Sequence, residues 1–175
     1  IDASSLIVLA RLNALGLLLQ SYGRVGLTAS VYTEVVIQGK EKGIPDALIV
    51  ESAIENGDLL VLPLTTAENR LAGTFAARLR GLSRTDCETL ACAKTRALTL
   101  LIEDRRARNA ARAQGVPYLT IQVLPVYSLV NGKVSVSECE QWVVKIGRAM
   151  QTDLAVVEAL RTAIREIGRL RAKES

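Results

Sequence analysis

Residues 98–116, LTLLIEDRRARNAARAQGV, carry the pattern on which the fold turns. Residues 98–102 form a continuous apolar run of strand length, as expected of a parallel strand covered on both faces. Asp104 then opens a helix over 104–114, which Gly115 closes, and 116–121 read as a further strand. A strand, a helix and a second strand within so few residues make a parallel unit with a right-handed crossover.

The same alternation extends toward the N-terminus. Ile1-Asp2 reads as the end of a first strand whose beginning is missing. A helix is expected over 4–15, a strand over 24–28, a helix over 30–40 and another over 44–55, stopped at Asn56-Gly57. Residues 59–62 form a strand ended by Pro63. Helices follow over 66–80 and over 83–96, the second opened by Ser83. These features predict an α/β fold of three α/β/α layers around a central parallel sheet.

From about residue 124 the chain reads as helical, with a turn at Asn131-Gly132 and helices over 135–150 and 153–171. Two parts follow: an α/β domain over 1–122 and a helical C-terminal extension over 123–175, packed on that domain or on a second subunit. Val157, Leu160, Ile164 and Ile167 make an apolar stripe that needs a partner helix, from this chain or a second copy.

The 175 residues are 49% hydrophobic and 23% charged and include no histidine, so disorder is excluded, and so are histidine triads and histidine-ligated zinc. Cys87, Cys92 and Cys139 are odd in number and lack C-x-x-C spacing, which points to a reduced, cytoplasmic protein. No apolar run reaches the roughly 20 residues of a membrane span.

The candidate chemistry rests on acids at the ends of elements. Asp2 ends the first strand and Asp104 follows the strand over 98–102. Asp86 lies in the first turn of the helix opened by Ser83, and Glu34 lies on the helix over 30–40. At the carboxyl edge of a parallel sheet all four can meet, and their mutual repulsion calls for a cation. Oxygen ligands without His or Cys select a hard ion, Mg²⁺ or Mn²⁺. Each acid also has a structural reading: Ser83 to Asp86 is a capping box, Asp104 and Asp2 are helix caps, and Glu34 is a solvated helix residue.

Sixteen of the 22 basic residues are arginine, against 18 acids, for a net charge of +4, and arginine suits bidentate phosphate contacts. Arg105, Arg106, Arg108 and Arg112 follow Asp104, while Arg78, Arg80 and Arg84 precede Asp86, and both groups are placed to frame an acidic crevice. Arg161, Arg165 and Arg169 read as a surface stripe paired with Glu158 and Glu166. Aromatic residues are only 3% of the chain, so base-stacking platforms are scarce. Trp142 reads as a packing residue and Cys87 as a small buried one.

Four segments, Ile1-Asp2-Ala3-Ser4, Leu27 to Val35, Leu82 to Asp86 and Leu101 to Arg106, occur in the order and rough spacing of a PIN domain. Over about residues 1–120 the chain resembles the small prokaryotic PIN-domain proteins related to the toxins of toxin–antitoxin pairs. The resemblance implies a metal-dependent endoribonuclease in which Asp2, Glu34, Asp86 and Asp104 hold one or two Mg²⁺ or Mn²⁺ ions. It implies Ser4 as a supporting hydroxyl, RNA as substrate and a small antitoxin protein as a possible partner, and the helical elements predict a homodimer. Glu88 is an additional acid that substitutes for Asp86 or assists it. Glu103 stands where relatives often carry Ser or Thr, and Arg108 replaces a frequent aromatic. The rival expectations are a non-catalytic PIN-fold module that binds nucleic acid or protein, and a structure-specific DNA nuclease.

Overall fold

The computed structural model describes residues 1–174, the side chain of Glu174 excepted. The chain divides into two compact units, one of residues 1–11 and 24–120, the other of residues 12–23 and 121–175.

In the first unit, β1 (Val25–Thr28) and β2 (Leu59–Leu62) pair in parallel, with Val25 opposite Leu59. Likewise β3 (Leu100–Leu101) and β4 (Tyr118–Leu119) pair in parallel. The extended Ile1-Asp2 backbone lies between the two pairs. Its Ile1 nitrogen donates to the Gly26 carbonyl at 2.8 Å, and its Asp2 amide donates to the Leu101 carbonyl at 3.1 Å. Gly26 permits the close packing of β1 on β2, because a Cβ there would run into the Leu62 side chain.

Helices flank these strands: α1 (Ala3–Arg11), α3 (Ala29–Tyr32), α4 (Gln38–Glu41), α5 (Asp46–Glu55), α6 (Thr66–Arg78), α7 (Arg84–Thr95) and α8 (Arg105–Ala113). A π-helical turn, Thr33–Ile37, joins α3 to α4, so 29–41 is one helical run with a widened turn. Phe75, Cys87, Leu90, Leu100, Ile102 and Ala111 belong to one buried cluster uniting α6, α7, β3 and α8. Cys87 is therefore a small buried residue, as its setting in the sequence suggests.

The helix expected over 4–15 is corrected. It stops at Arg11, Asn13 takes a left-handed conformation (φ 53°), and a separate α2 (Leu15–Tyr22) begins. Apolar periodicity runs through this break unchanged, whereas the local side chain of Asn tolerates the left-handed turn.

In the second unit α2 meets α9 (Leu124–Val130), with the Tyr22 and Tyr127 rings stacked at 5.0 Å. The remaining helices are α10 (Val136–Ala149), opened by a Ser135–Glu138 capping box, and α11 (Leu154–Glu174). The stripe of Val157, Leu160, Ile164 and Ile167 packs on Leu129, Cys139 and Val143 of the same chain. Arg161 and Arg169 pair with Glu158 and Glu166 at 3.0 and 2.6 Å, as expected of a surface stripe. Trp142 is half-buried with Lys145 above its ring. Among the described residues no single helix is long and apolar enough to cross a membrane.

Candidate active site

Asp2 and Asp104 sit at the carboxyl end of β3, where a parallel strand hands over to a helix. Asp2 is the most enclosed of the candidate acids, at 3% exposure. Its Oδ1 accepts the Ser5 amide at 2.8 Å and its Oδ2 accepts the Glu103 amide at 3.2 Å. Burial raises its carboxyl above the usual carboxylate range, and the hydrogen bonds from Ser5 and Glu103 oppose that rise. Ser4 is exposed in the first turn of α1, and the bond from Ser5 is made by its backbone amide. The signal for it was the helix itself: an acid just before a helix accepts the amide three residues on.

Asp104 caps α8, its Oδ1 accepting the Ala107 amide at 2.8 Å. The Glu103 bond therefore ties Asp2 to the residue immediately before Asp104. Asp86 completes the capping box of α7, its Oδ2 accepting from the Ser83 amide at 3.0 Å and from the Ser83 hydroxyl at 2.8 Å. The start of α7 lies against the end of β1 through Thr28 and Thr89, whose hydroxyls are 3.5 Å apart. The capping readings of Asp2, Asp86 and Asp104 are all realised, yet Oδ1 of Asp86 and Oδ2 of Asp104 carry no hydrogen bond to the described residues.

Glu34 and Glu88 meet differently. Both line a cavity of about 630 Å³ between α1, the helical run over 29–41 with the residues just after it, and the start of α7. Glu88 is held by Arg84 at 2.8 Å. Among the described residues no three acidic or thiol side chains form a group that could hold a metal ion. The donor chemistry nevertheless suits a hard divalent cation, since all four candidate ligands are carboxylates and three of them, Glu34, Asp86 and Asp104, keep an oxygen free of hydrogen bonds to the described residues.

Of the basic residues singled out, Arg105 and Arg106 are exposed on α8. Arg106 reaches over the Gly81 turn that precedes Ser83; there φ is 84°, and a Cβ would come within 2.8 Å of its Nη1. Arg108 instead turns back, donating to the Glu103 carbonyl at 2.7 Å, with the Glu103 carboxylate at 3.8 Å. Sequence inspection alone overlooks the Glu68–Arg96 pair. Glu68 is 1% exposed and is gripped by Arg96 at 2.6 and 2.9 Å, and Arg96 also donates to the Pro63 carbonyl at 2.7 Å. This bond joins the start of α6 to the end of α7.

No curated protein and no solved structure matches the chain. A family model described as a PIN domain matches residues 1–130, and the strand-end acids and parallel strands lie within that span. The chain belongs to the PIN-domain family, a nuclease family.

Proposed function

We propose that the protein is a metal-dependent endoribonuclease that hydrolyses RNA phosphodiester bonds. The supporting observation is the Asp2–Glu103 contact, in which the Asp2 carboxylate accepts the amide of the residue just before Asp104 at the carboxyl end of β3. Asp2, Asp86, Asp104 and Glu34 would supply carboxylates to Mg²⁺ or Mn²⁺, which requires them to draw closer together than they stand among the described residues. Such an ion, when bound, acts as a Lewis acid on the phosphate and lowers the pKa of water.

The protein's own residues supply the rest. Asp2 is fixed by two backbone amides, so its negative charge is aimed without side-chain reorganisation. Asp86 and Asp104 each present one unengaged oxygen while the other anchors the side chain to a helix terminus. Arg105, Arg106 and Arg84 offset the repulsion a phosphate backbone meets at an acidic edge. The absence of histidine leaves no imidazole base, consistent with chemistry run on carboxylates alone.

The partners of this function are an RNA substrate, a small antitoxin protein for which the chain is the toxin, and a second copy forming a homodimer. With the α11 stripe covered by the chain's own helices, any dimer contact lies elsewhere.

The test is incubation of the protein with single-stranded RNA, double-stranded RNA and DNA in Mg²⁺ or Mn²⁺. Internal cleavage of RNA is expected. Cleavage confined to branched or flapped DNA favours the DNA-nuclease alternative, and binding without cleavage favours the non-catalytic module.

A further inference from the structure

Apart from Glu34 and Arg84, the lining of the cavity beside Glu34 has no part in the hydrolytic chemistry. Glu34, Gln38 and Lys42 all line it, four residues apart, the first two on the helical run over 29–41 and Lys42 immediately past its end. In a regular α-helix residues four apart drift by about 40° per step. The π turn at Thr33–Ile37 takes up part of that drift between Glu34 and Gln38, and Lys42 follows at the helix end. Over eight residues the line is about 12 Å long, at about 1.5 Å of rise per residue.

The other charged groups around the opening are engaged. Arg84 pairs with Glu88 at 2.8 Å and Arg11 with Asp46 at 3.1 Å. Lys42 makes no ion pair and its side chain makes no hydrogen bond among the described residues, and the same holds for the amide of Gln38. The apolar part of the lining is aliphatic, with Ile7, Val35 and Ile44. The cavity is of small-molecule size, with aliphatic side chains, a two-way hydrogen-bonding group and a cation in its lining.

We propose that this cavity is a subsite for one unpaired nucleotide of a single-stranded nucleic acid, with Gln38 on the base edge and Lys42 on its phosphate. A base stacked and paired in a duplex cannot enter a concavity, whereas a splayed base can, and its Watson–Crick edge carries donors and acceptors that match an amide. In the nuclease reading Glu34, at the other end of the line, is the acid the subsite shares with the hydrolytic site. The orientation of the strand thus rests on the nuclease reading, while the binding of the nucleotide does not.

The test uses the full chain with chelator present, so that nothing is cleaved, and fluorescence anisotropy of labelled single-stranded RNA, single-stranded DNA and blunt duplex RNA of equal length. Single strands are expected to bind about tenfold more tightly than duplex. Lys42→Glu should weaken single-strand binding by about tenfold and lower the salt slope by about one. Ile44→Trp, which fills the cavity, should weaken it similarly, and Gln38→Ala should reorder the affinities for the four homo-oligomers. All three positions are exposed, so melting temperatures should stay at the wild-type value. Equal binding of single-stranded DNA supports the subsite, which uses base and phosphate. Duplex binding as tight as single-strand binding, or unchanged affinity in both Lys42→Glu and Ile44→Trp, overturns it. Cavity-dependent binding without RNA hydrolysis in Mn²⁺ overturns the ribonuclease function and leaves the subsite standing; hydrolysis indifferent to all three variants does the reverse.

Discussion

The carboxylate of Asp2 accepts the backbone amide of Glu103 at 3.2 Å, across 101 residues of chain. With the Ser5 amide at 2.8 Å on its other oxygen, Asp2 holds the carboxyl edge of β3 against the start of α1. Asp2→Asn replaces an acceptor oxygen by an NH₂ group facing a buried N–H. It is therefore expected to lower unfolding free energy by about 1–3 kcal/mol as well as to abolish hydrolysis, as read by urea denaturation and by RNA cleavage.

Asp104→Asn should separate the two effects. Asn caps a helix about as well as Asp, so stability measured in the same denaturation should stay within about 0.5 kcal/mol of wild type. Loss of the charge should still reduce cleavage on the order of a hundredfold or more, since a metal contributes several kcal/mol to such a step. A stable variant that keeps full activity would remove Asp104 from the site.

Cation binding has a readout independent of catalysis. A ligand at a hundred times its Kd stabilises by about 2.7 kcal/mol, so Mn²⁺ titrated into the wild-type chain should raise the melting temperature by several degrees. The shift should be absent in Asp2→Asn and in Asp104→Asn, and equal shifts in all three proteins would place the ion elsewhere.

The Glu68–Arg96 pair governs acid stability. Arg96 beside Glu68 pulls the Glu68 carboxyl down to about 2 from an ordinary value of 4.5. A depressed folded-state value means the unfolded chain takes up the proton first. The contribution is therefore complete above about pH 4.5 and is lost as pH falls toward 2. Glu68→Gln should cost about 1–3 kcal/mol near neutrality, and the difference from wild type should shrink below pH 4.5 in thermal melts run across that range.

The parallel strands and most helices were legible because apolar runs and caps are local signals. The Ser83–Asp86 capping box needs only four neighbouring residues, and Asp104 sits where an N-cap must. The break at Asn13 was not legible, since its left-handed backbone interrupts a helix whose apolar spacing continues. Neither was the Glu68–Arg96 grip, a pairing 28 residues apart that no spacing rule announces. The acids could be named from their positions at element ends. Their hydrogen bonds, and the division between the strand-edge group and the cavity-lining Glu34 and Glu88, depend on tertiary placement.

The central claim is that carboxylates and a divalent cation hydrolyse RNA here. The most direct measurement is single-turnover cleavage of an end-labelled single-stranded RNA by wild type and Asp104→Asn, with Mg²⁺ or Mn²⁺ and then with excess chelator. Internal cleavage by wild type that chelator stops, that added Mn²⁺ restores, and that Asp104→Asn lacks is the expected result. Cleavage that survives chelator and is undiminished in Asp104→Asn would contradict it.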